Sequence, residues 1–162
     1  MSQEKDQLSK QDKYFLEMCV NLAEEALKAG DKPFGSVLVG ENENILATSR
    51  NRINEKTVLA HPEIDLAQWA CDNLDIEERQ KATLYTSGEH CPMCAGAHAW
   101  AQIGELVFLS SAEQLTDWLK QKGVTESPIN FVPSRDIINF GKVRGPFEGE
   151  LFERIKSLQL KA

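Results

Sequence analysis

Residues 83–97 have the sequence TLYTSGEHCPMCAGA, in which a strand pattern passes through a short loop into a helix pattern. Residues 82–87 are rich in β-forming side chains, and 91–103 have the spacing and small residues of a buried helix. Cys91 and Cys94 stand at positions i and i+3, so one helix face carries both thiols. The free N–H groups and positive dipole end of a helix start favour the thiolate that binds metal. This stretch predicts a strand–loop–helix unit that presents two metal ligands.

A third ligand comes from the run His61-Pro62-Glu63. Proline is favoured at the first helical position, so a helix is predicted from Pro62 to about Asn73, with His61 at its cap. One His and two Cys leave the fourth position of a tetrahedral zinc to water, which is typical of a catalytic site. Glu63 would lie near the metal without binding it and could carry protons as a general acid–base.

Each motif alone is weak evidence. C-x-x-C also occurs in redox sites and structural zinc sites, and a Glu near a helix start is common. Together and in this order they resemble the signature of zinc deaminases that act on nucleobases, H-x-E followed by P-C-x-x-C. A thioredoxin-like redox site would leave His61 and Glu63 without a purpose. A non-catalytic zinc protein of the same fold stays open, because His90 or His98 could fill the fourth zinc position.

The composition predicts one globular domain over residues 1–162, with 41% hydrophobic and 27% charged residues. The first thirteen residues are polar and charged, without the apolar segment of a secretory signal. No apolar run approaches the ~20 residues of a membrane span. Four cysteines without a secretory context suit a reducing compartment, so we expect a cytoplasmic protein.

The charge balance bears on the partner. The chain carries 18 Lys and Arg against 25 Asp and Glu, a formal net charge of −7. Proteins that bind polynucleotides usually present a basic face to the phosphates. The balance therefore favours a small-molecule substrate over nucleic acid, and nothing predicts membrane binding.

The order of secondary-structure elements indicates an α/β fold. The predicted elements are a helix over 10–29 capped by Ser9, strands over 34–39 and 45–49, a helix over 62–73, a strand over 82–87, a helix over 91–103, a strand over 105–110, a helix over 112–121, a short strand over 129–132 and a closing helix over 147–160. Such an order implies a sheet covered by helices on both faces, with the two motifs at strand-to-helix junctions.

At the level of whole motifs the sequence resembles the cytidine deaminase superfamily, in the branch of guanine deaminases and tRNA adenosine deaminases. Residues 33–39, PFGSVLV, resemble the family's P-[FV]-G-A-[VIL]-[LIV]-V strand. Residues 83–97 resemble its T-L-Y-T-x-x-E-P-C-x-M-C-x-G-A block, and residues 100–108 match the usual continuation. The resemblance covers about residues 12–148.

This resemblance implies a three-layer α/β/α sandwich with a five-stranded mixed sheet, assembled as a homodimer. It implies one Zn²⁺ per chain, held by His61, Cys91 and Cys94, with Glu63 as the proton shuttle. Asn51 matches the family's Asn that binds the substrate. The chain departs from the family at Pro62, at His90 (where a Pro is usual), at His98 (where an apolar residue is usual) and in a loop between Asn51 and His61 that is one residue shorter.

The sequence therefore predicts a zinc-dependent hydrolase that replaces an exocyclic amine of a free nucleobase or nucleoside, guanine or a related purine or pyrimidine, with oxygen. We expect Asn51 and the loop at Gly88 to orient the ring, and Phe34 or Trp100 to form an aromatic wall. A tRNA adenosine deaminase is the alternative, with the target base extruded into the same pocket.

Overall fold

The computed structural model describes residues 7–162. Residues 1–6, part of the polar N-terminal stretch used above to predict the absence of a secretory signal, lie outside this range. The elements run in the order α1 (Lys10–Lys28), β1 (Gly35–Val39), β2 (Ile45–Arg50), α2 (Pro62–Asn73), α3 (Ile76–Gln80), β3 (Thr83–Gly88), α4 (Pro92–Ala101), β4 (Glu105–Ser110), α5 (Ala112–Gln121), a 3₁₀ turn (Ser134–Asp136), β5 (Lys142–Arg144) and α6 (Glu150–Lys161).

The five strands form one mixed sheet in the order β2-β1-β3-β4-β5. β1 pairs antiparallel with β2 and with β3, whereas β3, β4 and β5 are parallel. β3 is therefore the central strand, hydrogen-bonded on both sides. The observed architecture confirms the predicted α/β class and the five-stranded mixed sheet.

Alternate side chains of the central strands fill two hydrophobic cores, one on each face of the sheet. Val37, Tyr85 and Val107 pack against α1 and α6 on one face. Leu38, Leu84 and Leu106 pack against α2 and α4 on the other face. α2 and α4 also pack on one another, which brings their N-terminal ends together.

Helix α1 begins where the sequence predicts. Ser9 accepts a hydrogen bond from the Asp12 backbone N–H, and Asp12 accepts one from the Ser9 N–H, which completes a capping box. Cys19 is buried on the face of the helix that packs against the sheet. Tyr14 of the same helix is 58% exposed.

Two elements differ from the predictions. Residues 129–132 form no strand; Ile129 and Phe131 are exposed, and prolines stand on both sides of this segment at 128 and 133. The fifth strand is instead β5, which is too short and too charged to show a strand pattern. The short helix α3 was not predicted, although Asp75 caps it through a bond from the Glu78 N–H.

A buried carboxylate connects α1 to the sheet. Asp12 is 5% exposed, accepts a hydrogen bond from the Tyr85 hydroxyl at 2.7 Å and pairs with Arg144 of β5 at 3.1 Å. Burial opposes ionisation, but the bonds from the Ser9 backbone, Tyr85 and Arg144 together hold the pKa of Asp12 below its usual 3.8.

We expect Asp12→Ala to lower the free energy of unfolding by about 3 kcal/mol, because it leaves the Tyr85 hydroxyl and the Arg144 guanidinium without their buried partner. A depressed carboxyl pKa stabilises the fold above the unfolded pKa of 3.8 and loses that effect as the pH falls through the folded value. Urea unfolding of both proteins should therefore show a difference in the free energy of unfolding that narrows as the pH falls below 3.8, because neutral Asp12 loses its attraction for Arg144 but still accepts from Tyr85. Asp117→Ala, at an exposed position of α5, is the matched control.

Among the described residues, no helix combines the length and the apolar character that crossing a bilayer would require.

Candidate active site

Two helix starts bring the motif residues together. His61 is the N-cap of α2 and Cys91 is the N-cap of α4; both have extended backbone conformations and both are followed by a proline at the first helical position. Neither side chain caps its own helix, so both are available for another partner. The proline after each cap presets the helical φ of the first turn.

His61, Cys91 and Cys94 form a group that could hold a metal ion. Their ligand atoms all lie within 4.8 Å of one another. The Sγ atoms of Cys91 and Cys94 are each 3.6 Å from Nδ1 of His61. Tetrahedral zinc with Zn–N near 2.0 Å and Zn–S near 2.3 Å separates a nitrogen and a sulfur ligand by about 3.6 Å. The donor set and its spacing therefore fit zinc. Within residues 7–162 the group includes no fourth His, Cys, Asp or Glu.

One of the two thiols of the group, that of Cys91, is favoured as a thiolate. A hydrogen bond from Cys94 and another from His61 lower the pKa of Cys91 to about 4. The pKa of Cys94 is raised because its S–H donates to Cys91 and because it is buried. The hydrogen bond to Cys91 raises the pKa of His61. Cys94 and His61 both donate to the Cys91 thiolate, so a cation that binds all three side chains would displace these protons.

Glu63 lies beside this group but outside it. Its side chain is on the first turn of α2 and is 4% exposed. Burial raises the pKa of Glu63 to about 7, against the opposing effect of nearby His61 and of a hydrogen bond from Thr86. A buried carboxyl group whose pKa is near neutrality is suited to taking up and returning protons.

Three of the residues predicted to bind substrate also lie together. The Asn51 backbone N–H donates to the carbonyl of Phe34 at 3.0 Å. The Phe34 ring lies against Gly88, where an added Cβ would stand 3.2 Å from it. Asn51 is buried, and its Oδ1 accepts from the Ile53 N–H, which leaves the amide Nδ2 as its free donor. The structure thus gathers Asn51, Phe34 and Gly88 around β1 and β3.

Trp100 does not lie with Asn51, Phe34 and Gly88. It is 89% exposed on α4, six residues beyond Cys94, which corresponds to about 9 Å along a helix axis. Its predicted role as an aromatic wall remains a prediction.

His90 and His98 are both fully buried and face each other instead of the metal group. Nε2 of His90 lies 3.4 Å from Nδ1 of His98. Burial, together with the neighbouring His98, lowers the pKa of His90, and burial lowers the pKa of His98 to about 4. Both rings are therefore neutral near pH 7. Neither belongs to the His61–Cys91–Cys94 group.

Sequence reasoning missed two features of the site. Thr86, a buried residue of β3, donates to Oε1 of Glu63 at 3.1 Å; a polar side chain in an otherwise apolar central strand was the available signal. A cavity of about 310 Å³ opens beside His61, with Arg50, Arg52 and Lys56 in its lining. Arg50 and Arg52 are both paired with Glu55, so part of this basic charge is neutralised.

The fold and the clustered motif residues together define a deaminase of the nucleobase or nucleoside type. The pattern of the MafB19-like deaminases matches residues 10–137. The chain belongs to this deaminase family, which confirms the resemblance seen in the sequence.

Three known proteins illustrate the range of the family. A probable cytosine deaminase of Schizosaccharomyces pombe is 32% identical over 142 residues, which cover 88% of this chain and 84% of that protein. A tRNA-specific adenosine deaminase of Bacillus subtilis is 35% identical over 98 residues, 60% of this chain and 61% of that protein. The solved structure of guanine deaminase from Bacillus subtilis superposes with a TM-score of 0.58 at 26% identity, over 78% of this chain and 83% of that one.

Proposed function

We propose that this protein is a zinc-dependent hydrolytic deaminase of a free nucleobase or nucleoside, guanine or a related purine or pyrimidine. The observation that carries the proposal is the three-ligand group His61, Cys91 and Cys94 with buried Glu63 beside it. The overall reaction would add water to the ring carbon that bears the amine and release ammonia. The names of the cytosine and guanine deaminases among its relatives support a substrate of this size.

The proposed roles follow from the positions of the side chains. His61, Cys91 and Cys94 would hold one zinc ion, which supplies Lewis-acid activation of water near neutral pH. Glu63 would carry one proton of the attacking water to the ring nitrogen and then the second proton of that water to the departing amine, which leaves as ammonia. Asn51 would orient the ring by donating from Nδ2, and Phe34 and Gly88 would bound the pocket at the ends of β1 and β3.

The tRNA adenosine deaminase alternative has one observation in its favour. Arg50, Arg52 and Lys56 line the cavity beside His61, where they could meet phosphates that flank an extruded base. Glu55 and Asp31 pair with these arginines, and the chain carries a net charge of −7. Arginines that are already paired with carboxylates, on a protein of net negative charge, bind phosphate more weakly than unpaired arginines do. We therefore favour a free base as the substrate.

A substrate panel separates these functions. The zinc-loaded protein is incubated with guanine, adenine, cytosine, their nucleosides and an anticodon stem-loop RNA, and ammonia or inosine formation is measured. We expect ammonia release from at least one free base or nucleoside. Activity confined to the RNA would establish the alternative. Absence of turnover on every substrate, with one zinc per chain, would indicate a non-catalytic zinc protein.

We also propose that the protein is a cytoplasmic homodimer. Trp100 supports an interface, because a tryptophan exposed by 89% is the kind of side chain that protein contacts bury. Light scattering of the purified protein measures its oligomeric state directly. A monomer at all concentrations would contradict the proposed homodimer.

A further inference from the structure

The hydroxyl of Thr86 is the centre of a buried hydrogen-bond chain. Ser36 Oγ donates to Thr86 Oγ1 at 2.9 Å, and Thr86 Oγ1 lies 3.1 Å from Oε1 of Glu63. The same hydroxyl is 3.0 Å from the carbonyl oxygen of Gly88. Ser36 and Thr86 are fully buried, and Glu63 is almost so. This series of hydrogen bonds connects three elements, β1, β3 and α2.

The position of Thr86 makes it a rigid support. Ser36 and Thr86 are directly opposite residues of the antiparallel pair β1–β3, and β4 hydrogen-bonds the other edge of β3. By strand alternation both side chains share the sheet face of Leu38 and Leu84, which is the face that α2 covers. A β-branched residue in a central strand has little rotamer freedom, so its hydroxyl is held in place.

Glu63 depends on this support. Within residues 7–162, Thr86 is the only side chain that donates a hydrogen bond to the Glu63 carboxylate. Because Ser36 donates to the Thr86 hydroxyl, the single proton of Thr86 is left for one acceptor. The Gly88 carbonyl at 3.0 Å and Oε1 of Glu63 at 3.1 Å compete for it, and an ionised carboxylate is the stronger acceptor of the two. With Oε1 anchored in this way, Oε2 keeps no side-chain donor of its own and is left for the reaction.

We propose that Thr86 is a positioning residue for the deamination: its hydroxyl anchors Glu63 by Oε1 and so presents Oε2 to the substrate. The inference rests on the proposed role of Glu63. In the described part of the chain, the Thr86 side chain makes no hydrogen bond to His61, Cys91 or Cys94. Its contribution is to orient Glu63, a proton carrier that must reach several atoms in turn. Correct orientation speeds these proton transfers without changing substrate affinity.

The main test replaces the hydroxyl by a methyl group of similar shape. Thr86→Val should lower kcat on the order of 10–100-fold, the range typical of outer-shell partners, with KM within about threefold and zinc content unchanged. Thr86→Ser, which keeps the hydroxyl, should restore most of the activity. Thr83→Val is the matched control on the same strand, at a position without a side-chain hydrogen bond in the described part of the chain, and should leave kcat unchanged.

A second comparison covers the case in which Thr86→Val does not fold. Thr86→Ala and Thr86→Ser both lack the methyl group and differ only in the hydroxyl, so the kcat ratio between them reports the hydroxyl alone. In a Glu63→Gln background, replacing Thr86 by Val should have no further effect on the residual turnover, since the group that it positions is gone.

Three results would overturn the proposal: wild-type kcat in Thr86→Val, equal kcat in Thr86→Ser and Thr86→Ala, or a fall in kcat that follows loss of zinc. These failures are distinct from failure of the proposed function. If Glu63→Gln retained full turnover, the role of Glu63 itself would be wrong, whatever Thr86 does.

Discussion

Glu63→Gln is expected to lower the turnover number for deamination by about 10²–10⁴-fold, the effect attributed to a general acid–base. The amide keeps the shape of the side chain and can still accept the bond from Thr86 at Oε1, but it cannot take up a proton. Glu63 lies outside the His61–Cys91–Cys94 group, so the variant should keep about one zinc per chain. Steady-state kinetics and metal analysis of the same preparation measure both quantities.

Glu25→Gln is the matched control, at an exposed position of α1. It should have wild-type kinetics. Loss of zinc in Glu63→Gln would assign Glu63 to the metal ligands instead of the proton shuttle. Unimpaired deamination would exclude it from the chemistry.

Replacement of either thiol, by Cys91→Ala or Cys94→Ala, should abolish stoichiometric zinc binding and reduce activity by more than the 10–100-fold typical of outer-shell changes. A tetrahedral ion that loses one of three protein ligands is held by only two, and ligand-binding energy is coupled to folding. The variants should therefore also lose the rise in melting temperature that zinc gives the wild-type protein. Thermal unfolding with zinc and with a chelator measures this difference.

Cys71 provides the control for the replacement of a thiol outside the metal group. Cys71 is exposed on α2, away from the helix start, and Cys71→Ala should retain zinc, stability and activity. If Cys91→Ala or Cys94→Ala kept one tightly bound zinc, the ligand set would be wrong. If all three variants lost zinc alike, the loss would be a general effect of thiol replacement.

Local sequence patterns predicted the elements that carry their own signals. Ser9 predicts the start of α1 and Pro62 predicts the start of α2, and both helices begin there. These signals act within one helical turn, through side chains that satisfy the free N–H groups of a helix start or preset its backbone angles. They can therefore be recognised without knowledge of the rest of the chain.

The fifth strand shows where local patterns failed. Residues 129–132 have more β-forming side chains than 142–144, yet the latter pair with β4. Arg144 supports this pairing through ion pairs with Glu105 of β4 and with Asp12 of α1. These partners lie 39 and 132 positions away in the chain, beyond the reach of any local pattern.

By itself, the sequence determined the fold class and the residue types of the metal group, because a His and two Cys at helix starts are encoded by short motifs. Only the tertiary structure decided how these residues meet. The packing of α2 on α4 brings His61 to within 3.6 Å of thiols that lie 30 and 33 residues further along the chain. The packing of α2 on the sheet likewise places the Thr86 hydroxyl beside the carboxylate of Glu63. Such contacts depend on the alternation of a central strand and on the face that a helix covers, and neither can be read from a single segment.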